Sequence, residues 1–232
     1  MHKKTRDISE LENSINIKFD NRDLLMEALT HRSYLNENPK WHLPHNERLE
    51  FLGDAVLELA ATEKLYNEFP DSPEGQLTVY RAALVNYQIL AECAESIALE
   101  DYILMSRGEK MDNAKAREVI LANAYEALIG AIYLDKDFKT AEKFVLDQVF
   151  VHLPKILETK SYKDAKSELQ EIIQEKYKIT PVYKILSETG PAHLREFVSG
   201  VFFGEERIAE GSGTSKQEAE VEAAKAALKK YK

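Results

Sequence analysis

The sequence has few of the residues that define several classes of protein. A single cysteine, Cys93, excludes an internal disulfide. Because it lies in an apolar stretch, we interpret it as a buried structural thiol. Nine glycines and seven prolines are too few for a collagen-like or low-complexity chain. The longest run without a charged residue, Ala82 to Ala91, is about half of the length needed to cross a bilayer.

The first residues, MHKKTRDISELENS, are basic but have no apolar segment after them, which argues against a secretory signal. A chain with 44% apolar residues is too hydrophobic to be disordered. We therefore expect a soluble, cytoplasmic protein with no membrane association. The charge is uneven, since residues 1–159 carry a net charge of −10 and residues 160–232 carry +1. This asymmetry predicts two units, and the surplus carboxylates of the first form either a solvated surface or a cation site.

Hydrophobic periodicity divides the chain at the same place. Up to residue 153 the pattern is typical of successive helices, at 22–33, 46–69, 77–97, 116–134 and 139–151. A proline followed by polar residues predicts a linker over 154–163. Beyond it we expect a helix, three short strands and a helix, at 164–177, 181–187, 197–203, 206–210 and 215–231. The sequence thus predicts an all-α domain (1–153) and a small α-β-β-β-α domain (164–232).

Four acidic residues recur at helical spacing in the segment HNERLEFLGDAVLELA. Their separations place them on one helical face: Glu47, Glu50, Asp54 and Glu58. Stacked carboxylates repel each other and destabilise a helix. The stripe is therefore either an exposed acidic surface or a set of oxygen ligands for Mg²⁺ or Mn²⁺.

A second anomaly is Glu126, the one charged residue in VILANAYEALIGAIYL (119–134). A helix that is apolar on all sides is buried, and a buried carboxylate without a partner is costly. A structural hydrogen bond could satisfy it, and Asn123 lies one turn earlier on the same face. A metal ion shared with the acidic stripe explains both anomalies together, so we favour that interpretation.

Several motifs in a fixed order resemble those of a known family. The segment NERLEFLGDAVL (46–57), with ALTHRSY (28–34) before it and EALIGAIYLD (126–135) after it, resembles the signature of bacterial ribonuclease III, a double-stranded-RNA endonuclease. GPAH (190–193) and GSGTSKQEAE (211–220) resemble parts of a double-stranded-RNA-binding domain. The resemblance covers almost the whole chain. It implies the helical ribonuclease III fold followed by that binding domain.

The resemblance also implies an activity and a metal centre. The activity would be cleavage of both RNA strands in rRNA and mRNA precursor processing and decay, leaving 5′-phosphates and short 3′ overhangs. The cofactor would be Mg²⁺, replaceable by Mn²⁺, with four ligands: Glu50, Asp54, Asn123 and Glu126. Asp54 and Glu126 would be the catalytic pair. Three further acids would hold a second ion or shape the cleft: Glu47, Glu74 and Glu109. For Glu74 and Glu109 a solvated loop charge is the alternative.

Asn123 departs from the family pattern, in which an aspartate is usual at this position. An amide oxygen can coordinate Mg²⁺, but it adds no negative charge and accepts no proton at neutral pH. We interpret Asn123 as a neutral ligand in a weakened site, arising from natural variation or from a deliberate substitution. The rival hypothesis is a dimer that binds double-stranded RNA without cutting it. A metal-storing helical protein would leave the C-terminal domain unexplained.

The C-terminal domain offers three surfaces to an A-form duplex. They are one helical face, one loop and one helix start: Gln170, Glu171 and Gln174; His193; and Lys216. The alternative for His193 is a turn histidine, and the alternative for Lys216 is a solvated lysine. Since one chain has one cleavage centre and a duplex has two strands, the resemblance implies a homodimer. Phe51, apolar beside the acidic stripe, is then either a dimer contact or a core residue.

Overall fold

The computed structural model describes residues 7–106, 108, 113–159, 165–191 and 195–231. The chain divides into two compact units, Met1–Tyr162 and Lys163–Lys232. Over its described residues the first unit is helical: α1 (Ile8–Ser14), α2 (Arg22–Ala28), α3 (Arg32–Glu37), α4 (Glu47–Glu68), α5 (Glu74–Leu84), α6 (Tyr87–Ser96), α7 (Ala114–Asp135), α8 (Phe138–Gln148) and α9 (Leu153–Thr159), with 3-10 turns at Leu99–Asp101 and Phe150–His152. The predicted helical domain is confirmed.

Helix α7 is the centre of the first unit and packs against α2, α4, α6 and α8. Its run from Ala127 to Ile132 is entirely buried, because apolar residues occupy every side of the helix. At its C-terminal end the Asp135 carboxylate accepts hydrogen bonds from the backbone N–H groups of Asp20 and Asn21, at 3.0 and 2.7 Å. These bonds attach the end of α7 to the start of α2. No helix among the described residues has the length and apolarity to span a bilayer.

The predicted helix at 22–33 is broken in the structure. Helix α2 ends at Ala28 with Leu29 as its C-cap, and Thr30 forms a parallel β-bridge with Leu104. The backbone N–H of Asn46, at the start of α4, donates to the carbonyl oxygen of Thr30 at 2.9 Å. The apolar period continues through this segment, but the bridge is a contact between residues far apart in sequence, so no local pattern could reveal it. The predicted helix at 77–97 likewise divides where the Asn86 side chain caps α6.

Residues 154–159 also differ from the sequence prediction of a linker. They form most of α9. Leu153 and Ile156 are buried, and Leu157 packs against the same core. The other residues of α9 are exposed: Pro154, Lys155, Glu158 and Thr159. They form the solvent side of an amphipathic helix, which composition alone does not distinguish from a linker.

The second unit has the predicted order α10 (Ala165–Tyr177), β1 (Val182–Thr189), β2 (Glu196–Phe203), β3 (Glu206–Gly213) and α11 (Lys216–Tyr231). The strands form one antiparallel sheet in the order β1-β2-β3. Both helices pack on one of its faces, around Leu169, Ile173, Val201 and a line of alanines in α11. The outward faces of the two helices, which carry the predicted RNA contacts, are thereby left free of the core.

Candidate active site and RNA-binding face

Helices α4 and α7 cross with their backbones in contact. A Cβ on Gly53 would lie 1.8 Å from the carbonyl oxygen of Glu126, and a Cβ on Gly130 would lie 2.3 Å from that of Leu49. Neither position can therefore hold a side chain. The crossing brings the backbone of Glu126 against the turn of α4 that lies between Glu50 and Asp54. Glycine costs about 1 kcal/mol relative to alanine inside a helix, so two glycines within long helices are a sequence signal for such a crossing, which the predictions from periodicity did not include.

The three predicted carboxylate ligands lie close enough to affect each other's ionisation. Burial, then Asp54 and Glu50, raise the pKa of Glu126 to about 8. Burial, then Glu47 and Asp54, raise the pKa of Glu50, while burial and Glu58 raise the pKa of Asp54. Loss of water and nearby like charges both disfavour the ionised form. The crossing therefore gathers three acidic groups that, among the described residues, have no ion-pair partner.

These carboxylates are grouped without surrounding a common point. In the part of the chain that the structure describes, no three Asp, Glu, His or Cys side chains are placed to hold one metal ion together. Asn123, half-buried, is one turn before Glu126 on α7. The donor set is thus of the type that a divalent cation prefers, in an arrangement that side-chain rotation would have to close.

Glu47 differs from the other members of the acidic stripe. Its carboxylate lies 3.3 Å from a guanidinium nitrogen of Arg32. Its second oxygen lies 3.8 Å from Nδ1 of His45, within range of an ion pair when the imidazole is protonated. Arg32 therefore offsets this charge. Neither pairing was predicted from the sequence, and helical spacing could not reveal the first, because Arg32 comes from a different helix.

The remaining predicted residues of the first unit occupy different settings. Glu74 is exposed at the first residue of α5, and Glu109 lies outside the described residues. Phe51 is 81% exposed, which excludes the alternative of a core position. It borders a cavity of about 750 Å³ together with Leu24, Leu52 and Leu134.

In the second unit the four predicted RNA contacts that the structure describes lie on helix surfaces. On α10 the three predicted side chains, Gln170, Glu171 and Gln174, are exposed. Lys216 is the exposed first residue of α11, with its ammonium nitrogen 5.9 Å from the centre of the Phe197 ring. His193 lies outside the described residues.

Comparison with known proteins gives two family models that match the chain. One, described as Ribonuclease-III-like, matches residues 21–153, and the other, the double-stranded RNA binding motif, matches residues 165–231. The chain belongs to the ribonuclease III family. Ribonuclease 3 of Dehalococcoides mccartyi (strain CBDB1) is 41% identical over 97% of this chain and 95% of its own length. Ribonuclease 3 of Borreliella afzelii (strain PKo) is 44% identical over 96% and 90%.

Structural comparison agrees with this assignment to ribonuclease III. A solved nuclease domain of ribonuclease III from Campylobacter jejuni is 41% identical, with a TM-score of 0.56, and the match covers 64% of this chain and 99% of that domain. The nuclease domain and the RNA-binding module are thus both present in this ribonuclease III. The chain is an endoribonuclease that acts on double-stranded RNA.

Proposed function

We propose that this endoribonuclease is a Mg²⁺-dependent homodimer that cuts both strands of structured rRNA and mRNA precursors in the cytoplasm, leaving 5′-phosphates and short 3′ overhangs. The observation that supports the metal is the raised pKa of Glu126, produced by burial and by two carboxylates on another helix. A divalent cation would reverse this penalty, because it favours the ionised form of all three groups.

Each side chain has a distinct role in this proposal. Glu50, Asp54 and Glu126 would hold the cation, and Asn123 would add a neutral oxygen. Bound Mg²⁺ would supply a water of lowered pKa and would stabilise charge on the phosphate. Asp54 and Glu126 would orient that centre against the scissile bond, because the two helices that carry them are fixed against each other at Gly53. Glu47, already compensated by Arg32, would shape the cleft, as would Glu74.

The metal is tested by binding and by cleavage. Calorimetric titration with Mn²⁺ should give clear binding to the full chain, weaker binding to Glu126→Gln and tighter binding to Asn123→Asp, since the last change adds a charge. Glu63→Gln, an exposed acid of α4 away from the stripe, should bind as the wild type does. A long RNA duplex should yield short products in Mg²⁺ or Mn²⁺ and none in EDTA. Equal products with and without EDTA would refute metal dependence. No products at any ion concentration would leave a dimer that binds RNA without cutting.

A stripe of exposed apolar residues on α4 supports the homodimer. Phe51, Leu59 and Tyr66 are 81%, 54% and 70% exposed and recur at helical spacing. Each of the first two follows one residue after an acid of the stripe, so the apolar face borders the acidic one. A two-fold contact along this face would bury it and would place both acidic stripes on the same side of the dimer. The solved Campylobacter nuclease domain is described as having a region involved in dimer formation.

The dimer is tested by sedimentation of the full chain. Phe51→Glu would put a charge into the apolar contact and should yield monomers at micromolar concentration. Val151→Glu is the matched control, because Val151 is 65% exposed and belongs to the 3-10 turn Phe150–His152 rather than to α4. A wild-type chain that sediments as a monomer, or a Phe51→Glu variant that remains dimeric, would contradict the proposal.

The second unit would hold the duplex. Gln170, Glu171 and Gln174 would contact the minor groove, His193 a neighbouring groove, and Lys216 a phosphate at the start of α11. Lys216→Gln should weaken duplex binding and lower the slope of log affinity against log salt by about one. An unchanged salt slope would remove Lys216 from the contact.

A further inference from the structure

An arginine of α5 is held at the far end of the acidic stripe. A guanidinium nitrogen of Arg81 donates to the hydroxyl oxygen of Thr62 at 2.8 Å. That hydroxyl donates in turn to the carbonyl oxygen of Glu58 at 2.6 Å. Thr62 is one turn beyond Glu58, where the line of acids on α4 ends. The guanidinium is therefore fixed beside α4 by a neutral group.

Arg81 differs from most other described arginines in its ion pairing. Arg22, Arg32, Arg117, Arg195 and Arg207 all form ion pairs with carboxylates. Among the described residues, no carboxylate lies within ion-pair distance of Arg81. A cation held by a hydroxyl alone keeps its full charge available to a further anion.

The position of Arg81 suits a phosphate of the substrate. The eight residues from Asp54 to Thr62 span about 12 Å along α4, so the guanidinium lies a few nucleotides from a bond cut at Asp54. Arg81 is also seven residues after Glu74 on α5, and hence on the same helical face. RNA that approaches the acidic stripe is repelled by its carboxylates. A bidentate guanidinium–phosphate contact at the end of the stripe would offset that repulsion.

We propose that Arg81 is a substrate-binding residue that contacts a backbone phosphate of the duplex, with Thr62 as its positioning residue. The inference rests on the proposed cleavage centre at Glu50, Asp54 and Glu126, because the distance to the scissile bond is measured from there.

Steady-state cleavage of an RNA duplex by the full chain tests the contact. Arg81→Met should raise KM about 10-fold, as expected for loss of a hydrogen bond to a charged group, and should leave kcat nearly unchanged, because the contact is made equally before and during the reaction. The slope of log KM against log salt concentration should fall by about one, which corresponds to the loss of one phosphate contact. Thr62→Val should raise KM by less. Lys64→Met is the control, since Lys64 is a cation of α4 already paired with Glu68 at 2.9 Å.

Two results would overturn the proposal. The first is an Arg81→Met variant whose KM and salt dependence match those of Lys64→Met. The second is an Arg81→Met variant that sediments as a monomer, which would make Arg81 a subunit contact. If the proposed function itself were wrong, wild-type cleavage would be absent or independent of metal. Duplex binding measured in EDTA would still test Arg81 in that case, because it compares Arg81→Met with wild type without requiring cleavage.

Discussion

Glycines allow close backbone contact in both units, with opposite electrostatic results. In the first, Gly53 and Gly130 let α4 touch α7, and the contact gathers carboxylates that raise one another's pKa. In the second, a Cβ on Gly211 would lie 2.1 Å from the backbone nitrogen of Ala223, so β3 touches α11. There Glu218 accepts hydrogen bonds from the N–H and hydroxyl of Thr214, at 2.8 and 2.6 Å. The same kind of close packing thus stabilises one unit, whereas in the other it gathers acidic groups at a cost in stability.

The largest effect is expected where the helix crossing itself is changed. In Gly53→Ala the added methyl group would overlap the backbone of Glu126, so α4 and α7 must separate. We expect the free energy of unfolding to fall by about 3 kcal/mol or more, with loss of cleavage. Thermal unfolding measures the first and RNA cleavage the second. Gly75→Ala is the control for stability, because nothing lies within 4 Å of a Cβ there. Equal stability of both variants would show that the crossing tolerates a side chain.

An intermediate effect is expected from removal of the Glu126 carboxyl group. The pKa of Glu126 is about 8 in the folded chain, against an ordinary value of 4.5. The folded state therefore holds this proton more tightly, and wild-type stability should fall as the pH rises from 4.5 to 8. In EDTA, Glu126→Gln should be more stable than wild type by on the order of 1–3 kcal/mol above pH 8, and nearly equal to it below pH 4.5.

Denaturant unfolding across this pH range checks that prediction, with Glu63→Gln as the exposed control. A Glu126→Gln variant that is less stable than wild type at high pH would mean that Glu126 has a stabilising partner in the folded state. The close packing of the first unit would then not carry the electrostatic cost that distinguishes it from the second unit.

The smallest effect is expected from removal of the Glu218 carboxylate, which stabilises the start of α11 in the second unit. Glu218→Ala removes the acceptor of two hydrogen bonds at the start of α11 and should destabilise that helix by about 1 kcal/mol. Hydrogen exchange of the α11 amides in the full chain measures this. Glu222→Ala, which loses only a surface pair with Lys225, should change the exchange rates much less. Equal changes in exchange rate in both variants would show that the Glu218 cap stabilises α11 no more than a surface ion pair does.

Helix existence could be predicted from local patterns, because apolar residues at helical spacing recur wherever a helix buries one face. The bounds of α4 and α7 were predicted to within two residues on this basis. The break at Leu29 and the division at Asn86 could not be predicted from periodicity. The first depends on the bridge between Thr30 and Leu104, two segments that meet only in the folded unit. Helix α1 carried too short a pattern to stand out.

The candidate site was predictable to a similar depth. The acidic spacing and the isolated Glu126 indicated that these carboxylates lie near one another, as their effect on the pKa of Glu126 shows, whereas a shared metal ion stays a prediction. The charge compensation of Glu47 was not predictable, because Arg32 reaches it from α3. The hydroxyl-held guanidinium of Arg81 also depends on two helices. Pairings between elements are set by tertiary packing, which spacing within one element does not contain.

The absence of room at Gly53 and Gly130 limits which substitutions the helix crossing can accept. Any enlargement at Gly53 or Gly130 would push the two helices apart. Asparagine and aspartate have almost the same outline, and position 123 is half-buried one turn before Glu126. Exchange of Asn123 for aspartate would add a charge beside Glu126 with little change of shape, so the acidity of this turn can be altered where the crossing itself cannot.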